Sequence, residues 1–181
     1  AVTELQVDNL QGVYAMVSHL IEVHGKQRIA FIRGSGTQTE STMRYEGYRK
    51  ALYDHQIPFD PALIVTGDWQ VQSGQAAVHT LLHQRERNLD AIVAANDSMA
   101  FGAVAALAQL GMHVPQQVAV VGFDNTTEAQ INFPAITTVA QPIYQLDNRA
   151  LTLLLDRLAG NAVPRVRVSW VLLVAENQRF M

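Results

Sequence analysis

Residues Asp90–Asn125 read DAIVAANDSMAFGAVAALAQLGMHVPQQVAVVGFDN, and the order of apolar and polar segments in this stretch decides the fold. Asp90–Ala95 is a short apolar run rich in β-formers that stops at the polar pair Asn96-Asp97. Ser98–Leu110 follows with the Ala and Leu content of a helix, and Gly111 stands where a C-cap is expected. Pro115 then precedes Val118–Gly122 (VAVVG), a second run without a polar side chain. Strands apolar on both faces need cover on both faces. A helix-length crossover between two of them makes the pair parallel.

Working outward, the same unit recurs. Toward the N-terminus, Arg28–Arg33 (RIAFIR) and Leu63–Thr66 read as strands, with helical composition over Glu40–Asp54 and about Val71–Gln84. Earlier still, Leu10, Val13, Tyr14, Val17, Leu20 and Ile21 recur at helical spacing, with Asp8 or Asn9 placed to cap the start. Toward the C-terminus the alternation stops. Asp124–Ala135 reads as loop with about one helical turn, and Ile136–Val139 as a short extended piece. Ile143–Ala159 is amphipathic along Ile143, Leu146, Ala150, Leu153, Leu154 and Leu158 and is closed by Gly160; Val166–Val174 reads as one final strand. The expected class is α/β, a doubly wound parallel sheet.

The totals fit a soluble domain and remove several functions. Of 181 residues, 49% are hydrophobic and 16% charged, with a formal net charge of −3. No Lys/Arg cluster supplies the electrostatic footprint of a nucleic-acid binder, so any DNA contact must come from elsewhere. Cysteine is absent, which excludes disulfides and thiolate sites. No apolar run approaches the roughly 20 residues of a spanning helix, and no signal peptide is visible. Because the chain begins at Ala1 and not Met, an upstream segment is expected.

Open parallel sheets bind ligands outside the carboxyl ends of their strands. Here those ends carry Gly34-Ser35-Gly36, Gly67-Asp68-Trp69, Asn96-Asp97 and Phe123-Asp124-Asn125. Carboxylates and amides dominate, beside one large ring, and lysine is absent. Such a set suits a neutral hydroxylated ligand, whose hydroxyls donate to carboxylates while a sugar face lies on indole. The plainer alternative is that Asp and Asn after strands cap the following helices, and for Asp97 alone the two readings weigh equally.

These residues also resemble a known family. Val7-Asp8-Asn9, His19-Leu20-Ile21-Glu22 and Arg28–Ile32 are similar to the start of the second lobe in the effector domains of LacI/GalR-type transcription regulators. Arg44-Tyr45-Glu46-Gly47-Tyr48 resembles that family's R-x-x-G-(F/Y) helix, and Gly67-Asp68-Trp69 with Ser73-Gly74 its ligand-facing turn. Asn96-Asp97-Ser98-Met99-Ala100 followed by Gly102 is close to its N-D-x-x-A-x-G motif. Val114-Pro115 and Val118–Asn125 match its V-P-x-D-(V/I)-x-V-(V/I)-G-(F/Y)-D segment, with Gln117 in place of the usual Asp. Pro134, Thr137-Thr138-Val139 and Gln141-Pro142 resemble the crossover that follows. Departures are the inverted His24-Gly25, Asp147-Asn148 in place of a glycine, and an unfamiliar tail over Val168–Met181.

The resemblance implies a flavodoxin-like lobe of a type I periplasmic-binding-protein-like domain, with most of the first lobe outside this chain. Residues 1–142 and 161–181 would form the second lobe, and 143–160 would be a helix of the missing one. It further implies that Arg44 bridges ligand hydroxyls, that Asn96 and Asp124 hydrogen-bond them, and that Trp69 packs on the ligand. Ser35 and Asp68 join the set from the strand ends. Gln141 sits at a crossover and reads equally as a cleft or a hinge residue. A small-molecule effector, most simply a sugar, would close the lobes, with no cofactor, no metal and no catalysis. The output would be an upstream DNA-binding segment in a cytoplasmic homodimer, for which the Ala-rich Ser98–Leu110 offers a close-packing surface.

Rival readings are weaker. A solute-binding protein of a transporter, or a sensor fused to a signalling enzyme, would share this domain. Gly34–Thr39 resembles a flavodoxin phosphate loop for FMN, but Glu40 sets a negative charge in the helix's first turn. His79 and His83 have the spacing of a metal pair, without the Glu of a zinc-protease motif or an evident third ligand.

Overall fold

Apolar runs of the length read above become strands because each is buried on both sides. In β2 (Ile29–Arg33) and β4 (Ala91–Ala94) every residue is buried except Arg33, which is half-buried. The computed structural model describes residues 5–36, 38–85, 88–131, 135–161, 163, 166–168 and 170–173. Pro134, Thr37 and the tail 174–181 lie outside them.

In chain order the remaining elements are β1 (Leu5–Val7), α1 (Asn9–Glu22), α2 (Thr39–Asp54), β3 (Ile64–Thr66), α3 (Val71–His79), α4 (Asp97–Gln109), β5 (Ala119–Asp124), α5 (Thr127–Ile131), β6 (Thr137–Ala140), α6 (Ile143–Leu158), β7 (Val166–Val168) and β8 (Val171–Leu173). A 3-10 turn at Pro61–Leu63 leads into β3, and α3 continues in π form over Thr80–Gln84. Six strands form one sheet in the order β3-β2-β4-β5-β6-β8. All neighbours run parallel except β6 with β8. Helices α1 and α2 pack together, as do α3 and α4.

This order contains one reversal. From β2 the chain moves to β3 on one side and then crosses to β4 on the other, so the β2/β4 boundary is the topological switch point where such sheets open a crevice. Close helix packing keeps the sheet covered. A Cβ on Gly102 would lie 2.0 Å from the Val71 carbonyl oxygen, and one on Gly74 would lie 2.1 Å from that of Met99. Inside, Tyr48 stacks on Phe31 at 5.0 Å between centroids and donates to the Ile29 carbonyl at 2.9 Å. Burial pushes its phenol pKa up.

Three sequence expectations need correction. Val166–Val174 is not one strand: β7 pairs parallel with β1 in a separate two-stranded sheet, and β8 joins the main sheet beside β6. The small side chains of α4 mostly face inward, with Ala108 alone among its alanines exposed. Ala100, Ala103 and Ala106 are fully buried, where their size lets α3 and the sheet approach. Finally, the N-cap of α4 is Asn96, whose side chain accepts from the Met99 N–H at 3.0 Å, and Asp97 is already helical.

The chain passes between the two sheets at three places: between β1 and β2, between β6 and β7, and between β7 and β8. Along α6 only Leu153 is buried, while Ile143, Tyr144, Leu151, Leu154, Leu155 and Leu158 are exposed. Of its apolar stripe, Leu153 is buried and Leu146 packs half-buried against the core, while the rest is exposed.

Candidate functional site

The carboxyl ends of β2, β4 and β5 meet around one side chain. Arg44 extends from the first half of α2 into the switch point and is 5% exposed, so it is not the surface arginine that a polar helix could have carried. Its Nε donates to Asn9 Oδ1 at 2.8 Å, one terminal nitrogen donates to the Ala95 carbonyl just past β4, and the other reaches Asp124 Oδ1 at 3.4 Å. The guanidinium lies 3.7 Å from the Phe123 ring centroid and 5.9 Å from that of Trp69. Cation–π contact of this kind offsets part of the desolvation of a buried charge.

Asp124 ends β5 with φ of 116° and is followed by Asn125 at 58°, two left-handed residues without glycine. Its Oδ1 also accepts from Gln141 Nε2 at 2.6 Å. Burial raises the Asp124 pKa, against the opposing charge of Arg44, and burial likewise lowers the Arg44 pKa. Both shifts favour neutrality, so desolvation outweighs a long ion pair. With its side chain 28% exposed, Asp124 still presents a carboxylate edge that could accept a ligand hydroxyl.

Trp69 lies across β2. Its indole rests on Gly34, where an added Cβ would stand 1.9 Å from Cζ2, and its backbone is held at φ 73°. The Asn96 side chain fixes that turn, donating to the Trp69 carbonyl at 3.0 Å while capping α4. Among the described residues the buried indole N–H meets no hydrogen-bond partner. Thus Asn96 both caps α4 and holds the Trp69 turn.

The remaining expected residues are less central. Asp68 is exposed and shapes the turn: its carboxylate accepts from the Gln70 N–H at 3.0 Å and its own N–H donates to Ser73 Oγ at 3.0 Å. Hydrogen bonding with Ser73 and the Gln70 N–H lowers its pKa. Ser35 is half-buried in the loop after β2. Sequence reasoning placed Asn9 at a helix start and in the family match, and Gly34 at a strand end, but did not find that Asn9 accepts from Arg44 or that Gly34 carries the indole. Two grooves lie elsewhere. One of about 1040 Å³ is lined by Arg49, Tyr53 and Phe59, and one of about 440 Å³ by Val71, Phe101, Glu128 and Ile131. Among the described residues no group of three or more His, Asp or Glu could hold a metal, and the stacked rings of His79 and His83 stand as a pair.

Residues 17–174 match the model of a periplasmic binding protein-like domain. The chain belongs to the LacI-type, periplasmic-binding-protein-like domains. Among the relatives of this LacI-type domain, the HTH-type transcriptional repressor PurR of Yersinia pestis is 38% identical over 159 residues, 87% of the chain and 46% of the repressor. The PurR repressor of Photorhabdus laumondii is 36% identical over 157 residues, again 46% of its length. The chain therefore spans about half the length of the curated relatives it matches. Among solved structures, a CelR–cellobiose complex aligns with TM-score 0.90 at 36% identity, over 97% of this chain and 54% of CelR. A sugar-binding LacI-family regulator from Escherichia coli, complexed with phosphate, aligns with TM-score 0.87 at 36% identity, over 93% of this chain and 60% of that one.

Proposed function

We propose that this LacI-type domain is one wall of an effector cleft in a transcriptional regulator, that its ligand is a sugar, and that ligand shifts the molecule toward a closed form. The observation that carries the reading is the cluster at the switch point. Arg44, Asp124 and Gln141 form a connected polar edge beside the Trp69 indole, the donor, acceptor and stacking surface that a hydroxylated ring needs. The CelR–cellobiose complex gives the same class its support. Asn96 and Asp68 serve this edge by holding the Trp69 turn, and Ser35 borders it.

The second wall belongs to sequence outside this chain. Its remnant here is α6 together with β1 and β7, reached through the three crossovers, which extends the helix 143–160 expected for that lobe by the two short strands. Lobe closure about those crossovers would couple binding to an upstream DNA-binding segment. We further propose a homodimer, supported by the exposed Phe101 and Ile131 of α4 and α5 and not by the alanines of α4.

Calorimetric titration of the full-length protein with a panel of mono- and disaccharides, cellobiose and ribose included, and with a free nucleobase tests the reading. Arg44→Ala and Asp124→Ala should each weaken saccharide binding by about tenfold or more, since hydrogen bonds to charged groups contribute about 1.5–3 kcal/mol. Unchanged affinity in both variants, or binding of the nucleobase alone, refutes it. Sedimentation showing only monomer at micromolar concentration removes the dimer.

A further inference from the structure

Asp97 is 2% exposed, yet neither of its oxygens serves its own helix. Capping is done by Asn96, and the Asp97 carboxylate turns to the loop after β5 and to β6 instead. Oδ2 accepts from the Thr126 N–H at 2.8 Å, and Oδ1 accepts from Thr138 Oγ1 at 2.7 Å. That same hydroxyl oxygen accepts from the Asn125 N–H at 3.2 Å. One carboxylate thereby holds both residues that follow Asp124, one directly and one through β6. The loop it holds is the segment with two successive left-handed non-glycine residues, a conformation that persists only where its surroundings over-determine it. Gly122 completes the fit, because a Cβ there would stand 2.2 Å from Asp97 Oδ1.

We infer that Asp97 is a positioning residue for the candidate site: it fixes the 124–126 loop so that the Asp124 carboxylate stands at the switch point, between Arg44 and Gln141. The inference rests on the reading of Asp124 as a ligand acceptor. Ordinary helix stabilisation would leave an acidic residue in solvent near the helix N-terminus. Burial in place of solvation, with both oxygens committed across 29 and 41 residues of sequence, is the arrangement of a tie between elements. The charged groups that face it are Asp124 on β5 and Arg44 on α2, and Glu128 on α5 lines the same groove. Burial raises the Asp97 pKa to about 6, so the tie changes its charge in a range that is easily sampled.

Amide hydrogen exchange of the full chain, read by mass spectrometry on the peptide covering residues 122–127, tests this without any ligand. In Asp97→Ala that peptide should exchange about tenfold or more faster than in wild type, while the β4 peptide is unchanged. Asp97→Asn should restore protection, because its amide can accept from the Thr126 N–H and donate to Thr138 Oγ1. After correction for intrinsic exchange, wild-type protection of the peptide should change near pH 6, and that of Asp97→Asn should not. Equal exchange in Asp97→Ala and wild type overturns the inference. If Asp97→Ala also opens β4, Thr138→Val becomes the deciding variant, and selective loosening of residues 122–127 is again required. Cellobiose titration of Asp124→Ala separates the two levels. Loosening with binding unaffected removes the effector reading, whereas binding lost without loosening in the Asp97 variants removes only the positioning role.

Discussion

Gly34→Ala would place a methyl group where the Trp69 indole now lies. The new Cβ would stand 1.9 Å from Cζ2 and 2.2 Å from Cε2, and ordinary contact begins near 3.4 Å, so the ring must retreat by about 1.5 Å. It cannot do so freely. Asn96 holds the Trp69 carbonyl, and the residue sits at φ 73°. The backbone of residue 34 lies outside the left-handed region, so alanine itself is not strained there. The cost is one of overpacking, about 1–3 kcal/mol, or a lowering of Tm by roughly 2–12 °C for a chain of this size. Of the two tryptophans, Trp170 is removed as Trp170→Phe so that Trp69 reports alone. In that background Gly34→Ala should shift the Trp69 emission maximum as the ring changes its surroundings, and lower the urea midpoint. Adding Trp69→Ala should abolish the stability effect of Gly34→Ala, a double-mutant coupling. Unchanged emission and an unchanged midpoint would show that the indole does not rest on Gly34, and the stacking surface assigned to the site would have to be redrawn.

Three further outcomes follow from the same geometry. Arg44→Ala leaves the Ala95 carbonyl and Asn9 Oδ1 without their buried donor and Asp124 with Gln141 alone, and should destabilise the chain by about 3–5 kcal/mol in urea denaturation, whereas Arg44→Met should cost less. Asp97 holds its proton more tightly folded than unfolded, with its pKa raised from 3.8 to about 6. Stability should therefore fall as pH rises from about 4 to 6 and level above it, by on the order of 2–3 kcal/mol, and the difference between wild type and Asp97→Asn in melts across that window should isolate the effect. Leu154→Lys and Leu158→Lys, at 55% and 76% exposure, should change the melting of this chain by no more than about 0.5 kcal/mol each but weaken the intact regulator, if α6 packs on the second wall.

The sheet was legible because each of its central strands is apolar on both faces and is bounded by residues that end strands. Asn96-Asp97 and Asp124-Asn125 announce their strand ends by polarity alone. The final strand was not legible, since Val166–Val174 is largely apolar throughout and nothing local marks where the pairing partner changes from β1 to β6. Nor was β1, only three residues long and paired with a segment near the other terminus. At the site, the residue types could be read but not their division of labour. Arg44 takes its partners from 35, 51 and 80 residues away, and helical position carries no trace of those distances. Asn96 and Asp97 are neighbours with the same capping chemistry, and only the structure separates the one that caps from the one that reaches across the sheet.

The pairing of β1 with β7 sets an order of events for a chain emerging from the ribosome. Leu5 finds its hydrogen-bonded neighbour at Val166, roughly 160 residues later, which at about 5–20 residues per second is on the order of ten to thirty seconds of synthesis. During that interval β2 to β6 and their helices have all the sequence they need to assemble, because each pairs with a near neighbour in the chain. The register of Leu5 with Val166 is therefore set late, after the sequence of β2 to β6 is already complete.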